Sequence, residues 1–269
     1  MEPRYFDIHS HVTFKDYDQD LPEVLARMEE NQVYTMTVGV DKKTSEEAIA
    51  FAQGKDNFFA TIGLHPTDTV AETFSESEYK ELVAHPKVVA VGECGVDYFR
   101  IQGDISVEKK RQWRELEKQV EFAIKYNKPL MIHCRPSKGT VDAYVEMANF
   151  LESRKKDAEE KLRGNMHFFV GNVDVARRFY SIGFTTSFTG VLTFTHDYDE
   201  VVKFAPTDMI LTETDSPFAA PAPFRGRRNE PSYVKYVVEA IARIRGQETE
   251  IIQKAVLANA LRVFALSKR

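Results

Sequence analysis

Two histidines one residue apart carry the first chemical signal in the chain. In Asp7-Ile8-His9-Ser10-His11, positions i and i+2 of an extended segment share a face. His9 and His11 are therefore expected to converge, and two converging imidazoles suit a divalent metal. Further on, Glu93 follows the fully apolar run Val88-Val89-Ala90-Val91-Gly92. An unpaired carboxylate there is costly, and a metal would neutralise it. Glycines at 92 and 95 permit close backbone approach. His133 ends Leu130-Met131-Ile132, and His167 sits in Asn165-Met166-His167-Phe168-Phe169. One histidine in an apolar strand is usually a satisfied core residue; its recurrence in several strands favours a shared site. Leu211-Thr212-Glu213-Thr214-Asp215 delivers another carboxylate. Asp215 is expected to ligate metal and to accept a proton from an attacking water. Glu213 shares its face by alternation, and two roles stay open for it: orienting a ligand from behind or forming a structural ion pair.

Other residues fit substrate contact. His65, in Gly63-Leu64-His65-Pro66, Asp97 and Arg135 fall near the same strand ends. Asp97 is expected either to orient a ligand or water or to cap a turn. Arg225-Gly226-Arg227-Arg228 places three guanidiniums in four residues. Arg225 and Arg227 are the candidates for phosphate, because the guanidinium fork binds it bidentately; a solvated ion-pair network is the alternative. Cys94 and Cys134 are the sole cysteines and are expected to pack in the interior.

These residues need a scaffold that brings distant strand ends together. Eight strand candidates alternate with helical patterns: 5–9, 33–38, 58–63, 88–92, 130–133, 165–169, 184–187 and 209–213. Several are short continuous apolar runs, as in strands buried on both faces. Helical spacing marks 21–31, 44–53, 107–126, 140–162, 232–244 and 248–266, with Thr44 and Glu47 as a capping box. The charged run 152–161 reads as a solvated helix face. This alternation predicts an α/β fold, a (β/α)8 TIM barrel in one domain spanning residues 1–269. In such a barrel chemistry lies at the carboxyl ends of the strands, where the candidates above fall. The rival, an open doubly wound sheet, would carry a Gly-rich nucleotide motif after its first strand, and none is present.

The 269 residues are 43% hydrophobic and 29% charged, with a net charge of −5. That composition excludes a mostly disordered chain and a polytopic membrane protein. It also argues against a surface that is basic throughout, though not against a nucleic-acid enzyme using metals and a local arginine cluster. Two cysteines make no disulfide framework, and no secretory pattern opens the chain. The expectation is a cytoplasmic monomer with no membrane association and no obligate protein partner.

The motifs D-I-H-S-H, G-L-H-P, G-E-C-G-V-D-Y, I-H-C-R, the His167 strand, E-T-D-S-P and R-G-R-R-N-E-P occur in this order between residues 7 and 231. In that order they resemble the TatD family of metal-dependent deoxyribonucleases, among the amidohydrolase-like barrels. The resemblance implies two divalent metal ions, with zinc, manganese and magnesium the candidates. It implies that His9, His11 and Asp215 hold one, that His133 and His167 hold the other, and that Glu93 bridges them. Thr13, Phe168, Val170 and Thr195 depart from the family pattern, and none is a proposed ligand. The implied activity is hydrolysis of DNA phosphodiesters from 3′ ends, with cleavage at lesions such as abasic sites. Asp215 and Glu93 are then the catalytic residues. A small-molecule amide, lactone or phosphoester hydrolase on the same metals is the alternative reading, since a fold does not decide substrate.

Overall fold

The computed structural model describes residues 2–67 and 71–266. Eight strands, β1 (Tyr5–Ser10), β2 (Val33–Val38), β3 (Phe58–Ile62), β4 (Val88–Asp97), β5 (Leu130–Arg135), β6 (Gly164–Met166), β7 (Phe184–Phe188) and β8 (Ile210–Thr212), pair in chain order, each parallel to the next. The segment after β8 returns to β1. Ser10 bridges Ser216, the Asp215 amide donates to the His9 carbonyl at 2.9 Å, and the His11 amide donates to the Ser216 carbonyl at 2.7 Å. The sheet thereby closes as a (β/α)8 barrel.

The connections carry α1 (Leu21–Glu30), α2 (Lys42–Ala52), α3 (Glu76–Val83), α4 (Ile105–Lys125), α5 (Asp142–Ala158), α6 (Val173–Ser181), α7 (Asp199–Phe204), α8 (Val234–Arg245) and α9 (Thr249–Val263). The longest, α4, starts at Asp104, whose carboxylate accepts the Ser106 and Val107 amides, satisfying donors that the first turn leaves open. It buries Leu116, Val120 and Ala123 at helical spacing against the barrel. Inside the barrel Phe6, Ile8, Met36, Ala90, Met131 and Leu211 form a separate apolar cluster with residues of α9. α9 lies at the amino ends of β1 and β8, where Gln253 and Asn259 donate to the Arg4 and Ile210 carbonyls. The floor beneath the carboxyl ends is thus apolar and packed.

The structure departs from the sequence expectation in several places. α3, α6 and α7 lie outside the expected helices; at eight, nine and six residues they fall below the roughly ten to twelve residues by which length marks a helix, although α6 carries a clear apolar stripe of Val175, Ala176, Phe179 and Tyr180. The start of α2 is capped by Asp41, not Thr44. The Thr44 amide donates to Asp41 Oδ1 at 2.6 Å, and Thr44 Oγ1 accepts the Asp41 amide at 2.9 Å, so Thr44 is the inner partner of the box. β4 continues past Gly92 to Asp97, with a register shift against β5 between Val91 and Cys94. β6 and β8 stop short of His167 and Glu213, which places those side chains on the first residues beyond the strands.

Candidate active site

The six proposed metal donors meet at the carboxyl ends of the strands, around Glu93. Its two carboxylate oxygens face different histidines. Oε2 lies 3.3 Å from His9 Nε2 and 4.0 Å from His11 Nε2. Oε1 lies 2.9 Å from His133 Nδ1 and 3.1 Å from His167 Nε2. Asp215 Oδ1 is 3.6 Å from both His9 Nε2 and His11 Nε2. The backbone makes this convergence possible. A Cβ on Gly92 would collide with the Met131 carbonyl and one on Gly95 with the His133 carbonyl, and both glycines have positive φ. β4 can therefore press against β5 only with glycine on either side of the carboxylate. Asp215 has φ +53°, a left-handed conformation that aspartate tolerates better than most residues.

Carboxylates behind the ring orient part of it. Glu213, fully buried, accepts from His167 Nδ1 at 2.9 Å, the Phe168 amide at 2.8 Å and Ser187 Oγ at 2.6 Å. Its two open roles coincide in one contact, since the bond to His167 Nδ1 both backs that ring and pairs with its charge. The Phe168 amide bond holds that residue at φ +46°, a strained value for a bulky side chain. Asp97, also fully buried, lies 3.1 Å from His133 Nε2 and accepts the Arg100 amide at 2.8 Å. It faces the histidine and is not among the residues that line the cavity. Asp7 accepts the Thr214 amide and hydroxyl at 2.8 and 2.6 Å and ties the Asp215 segment to β1. Sequence reasoning assigned Asp7 no role, since nothing local links it to Thr214.

Burial drives the His9 ring toward its neutral form, and neighbouring His167 adds to that. Burial acts the same way on His11, but Asp215 outweighs it and the pKa rises. Burial also opposes charge on His133 and His167, where Asp97 with Glu93, and Glu213 with Glu93, prevail and raise both. Glu93 should be raised by burial, yet the charges of His167, His65 and His9 hold it well below the usual carboxylate range.

Donor atoms of three overlapping sets, His9–His11–Glu93, His9–His167–Asp215 and His65–Glu93–His133, lie within 4.8 Å of one another. Buried carboxylates faced only by imidazoles need a compensating cation. His9 Nε2 and His11 Nε2 stand 3.2 Å apart, both aimed at carboxylates. Among the described residues their Nδ1 atoms have no hydrogen-bond partner. The donor set therefore fits divalent metal.

The cavity over this centre measures about 490 Å³. His65 is part of its floor, with Nε2 3.5 Å from Glu93 Oε1 and its ring 4.6 Å from that of His133. Arg135 lines the wall, joined by Arg100, which the sequence did not single out. Arg225 and Arg227 are exposed and outside the lining. Arg225 instead lies over Phe194, Arg228 is paired with Asp20, and Phe224 stacks on Tyr233 at 4.2 Å. These contacts hold Arg225, Arg228 and Phe224 against neighbouring structure. Cys94 and Cys134 are buried free thiols.

Comparison with known proteins agrees with the geometry. The family model described as "TatD related DNase" matches residues 6–265. A metal-dependent hydrolase of Bacillus subtilis (strain 168), YabD, is 38% identical over 97% of this chain and 99% of its own length. The 3′-5′ ssDNA/RNA exonuclease TatD of Cronobacter sakazakii is 29% identical over 96% of this chain and 97% of its own. The crystal structure of the TatD homologue YjjV from Escherichia coli superposes with a TM-score of 0.87, at 24% identity, over 99% of this chain and all of that one. With these matches spanning nearly the whole chain and a donor cluster fit for divalent metal at its centre, the chain belongs to the TatD family of metal-dependent hydrolases.

Proposed function

We propose that this protein is a phosphodiesterase that shortens DNA strands from their 3′ ends, at a site where Glu93 and the residues around it would hold two divalent cations. The observation that carries the reading is the division of the Glu93 oxygens between the His9–His11 pair and the His133–His167 pair. That division suits a carboxylate shared by two cations. His9, His11 and Asp215 would hold one of them, and His133 and His167 the other. Zinc, manganese and magnesium are the candidates, with the histidine content favouring the first two. The exonuclease activity in the name of the Cronobacter sakazakii relative supports the substrate and the polarity.

Divalent metal at this site would polarise a phosphoryl oxygen and make water more acidic. Asp215, at the edge of the cavity, takes the proton of the attacking water as the new P–O bond forms. It returns that proton to the sugar oxygen as the old P–O bond breaks. Arg100 and Arg135 place positive charge on the cavity wall, where it draws the phosphates of a strand toward the mouth. Asp97 and Glu213 keep His133 and His167 in register from their far nitrogens. A strand end or an abasic lesion enters such a concave mouth more readily than intact duplex, whose bases would first have to unstack. Buried free thiols suit a reducing compartment such as the cytoplasm, and no helix among the described residues is long and apolar enough to cross a membrane. One domain over residues 1–269, acting as a monomer, would suffice for this activity.

The cavity volume also suits a small organic substrate, which keeps a small-molecule amide, lactone or phosphoester hydrolase as the second reading. Metal added back to chelated protein separates the two. Labelled single-stranded DNA should be laddered unless its 3′ end is blocked. Turnover of only small amides, lactones or phosphomonoesters would overturn the nuclease reading in favour of the second.

A further inference from the structure

Phe14 with Phe218 and Arg100 with Arg135 reach the cavity from opposite sides, with Phe168, Val170 and Tyr198 along the arc between them. Strands β1 and β8 are neighbours in the closed barrel, and β4 and β5 lie diametrically across from them. The β1 and β8 segments contribute Phe14 and Phe218 to the cavity. Phe14 stacks on the His11 ring at 4.5 Å, and Phe218 meets the same ring edge-on at 6.1 Å. Phe218 is 52% exposed, a large apolar surface left to water at the mouth of a metal site. The β4 and β5 ends contribute Arg100 and Arg135 to the same cavity. The Arg135 guanidinium lies 4.2 Å from the centre of the Phe99 ring, which steadies a long cation at the wall. Between the two rims sit Glu93 and Asp215.

We propose that this mouth is a subsite for one nucleotide of a single strand, with separate seats for base and phosphate. The base beside the scissile phosphate stacks on the exposed face of Phe218, with Phe14 as its neighbour. The next phosphate along the strand is held across the barrel by Arg135 and Arg100. The proposal rests on the phosphodiesterase reading and adds what selects the substrate. Base stacking on an aromatic face is tolerant of sequence and needs an unpaired base. Guanidiniums recognise phosphate without reading sequence. The mouth would therefore favour single-stranded ends of any sequence, and a lone diester without base or second phosphate would miss both seats.

The test uses metal-loaded protein and three substrates: a short oligothymidylate, the same oligomer with a tetrahydrofuran abasic unit at the 3′-terminal position, and methyl 4-nitrophenyl phosphate. Stacking energies for a single base correspond to roughly tenfold in affinity. Phe218→Ala should raise KM for the oligothymidylate about tenfold more than for the abasic oligomer, and Phe218→Trp should restore the difference. Arg135→Gln should raise KM for both oligomers relative to the small diester and flatten the salt dependence of KM. Phe218→Leu, which keeps apolar cover without a ring, should behave as Phe218→Ala; wild-type discrimination by Phe218→Leu would overturn the stacking seat. Equal losses by Phe218→Ala on oligothymidylate and abasic oligomer would overturn it as well. Equal losses by Arg135→Gln on all three substrates would overturn the phosphate seat. A wild-type enzyme that cleaves the small diester but neither oligomer would defeat the subsite while sparing the phosphodiesterase chemistry. No cleavage of any phosphodiester would defeat the functional reading itself.

Discussion

The two halves of the metal-binding ring are organised by different means. On the β1/β8 side, His9 and His11 are positioned by backbone. β1 sets their common face, its hydrogen bonds to the Asp215–Ser216 segment fix that face against β8, and Asp7 clasps Thr214 from below. On the β4–β6 side, His133 and His167 are each gripped at the far nitrogen by a buried carboxylate, Asp97 or Glu213. The electrostatic consequence follows. His9, with no such carboxylate behind it, is pushed toward neutrality by burial, and His11 on the same side escapes that only through Asp215 in front of it, whereas burial is overcome at His133 and His167 by two carboxylates each. A neutral imidazole ligates metal without losing a proton, and an imidazole backed by carboxylate is a more basic ligand. The difference teaches that ligands can be organised by chain direction or by a second side chain, and that the two designs should fail differently.

The largest expected effect comes from the residue common to both halves. Glu93→Ala should release metal from both sides and abolish measurable turnover; metal content by mass spectrometry and a hydrolysis assay check this together. Retained turnover in that variant would break the shared-carboxylate picture. Next is Asp215→Asn, which would remove the proposed proton acceptor. Its kcat should fall by about 10² to 10⁴-fold while circular dichroism stays that of the wild type.

Glu213→Gln and Asp97→Asn sharpen the comparison directly. Each should weaken metal binding by about 10 to 100-fold on the β4–β6 side alone. In a chelator competition one class of site would weaken while the other holds; a uniform loss across both would erase the distinction between the halves. Asp7→Asn probes the opposite side. Its carboxylate accepts from Thr214 twice and from the His9 amide at 3.3 Å, and an amide nitrogen in its place leaves a buried group unmatched. The cost should be about 1–3 kcal/mol in urea unfolding, larger than the effect of the same substitution at an exposed aspartate.

The smallest effect concerns the loop after β5 that follows Arg135. Asp142 accepts from Ser137, Thr140 and Ala143. Burial opposes its ionisation, but these bonds win and bring its pKa down to about 2. A carboxyl lower in the folded state than in the unfolded chain stabilises above its unfolded value, near 3.9, and loses that contribution as pH falls toward 2. Asp142→Asn should therefore cost stability at pH 6, about 1 kcal/mol after allowance for solvent screening. The gap from wild type should close as pH drops below 4. A gap constant across that range would assign the loop's stability to packing.

Much of this was legible in local pattern. Strand candidates carried their apolar runs to the ends where His9, Glu93 and His133 stand, and alternation put His9 and His11 on one face. The short helices α3, α6 and α7 fall below the length by which a helix is told from a buried strand, yet the stripe of Val175, Ala176, Phe179 and Tyr180 in α6 was legible at helical spacing. Arg225 and Arg227 drew attention as a cluster, yet Arg100 and Arg135 line the cavity. A guanidinium's destination depends on which loop it can reach in three dimensions.

The sequence by itself determined the alternation of strand and helix, the positions of the donor residues along it and the glycines that let β4 approach β5, because these depend on period and on local sterics. Tertiary structure decided which carboxylate backs which histidine. His167 finds Glu213 46 residues away and Asp7 finds Thr214 207 residues away. Such partnerships exist only once the barrel has closed, for a hydrogen bond is set by distance and direction in space, and residue spacing along the chain encodes neither across the barrel.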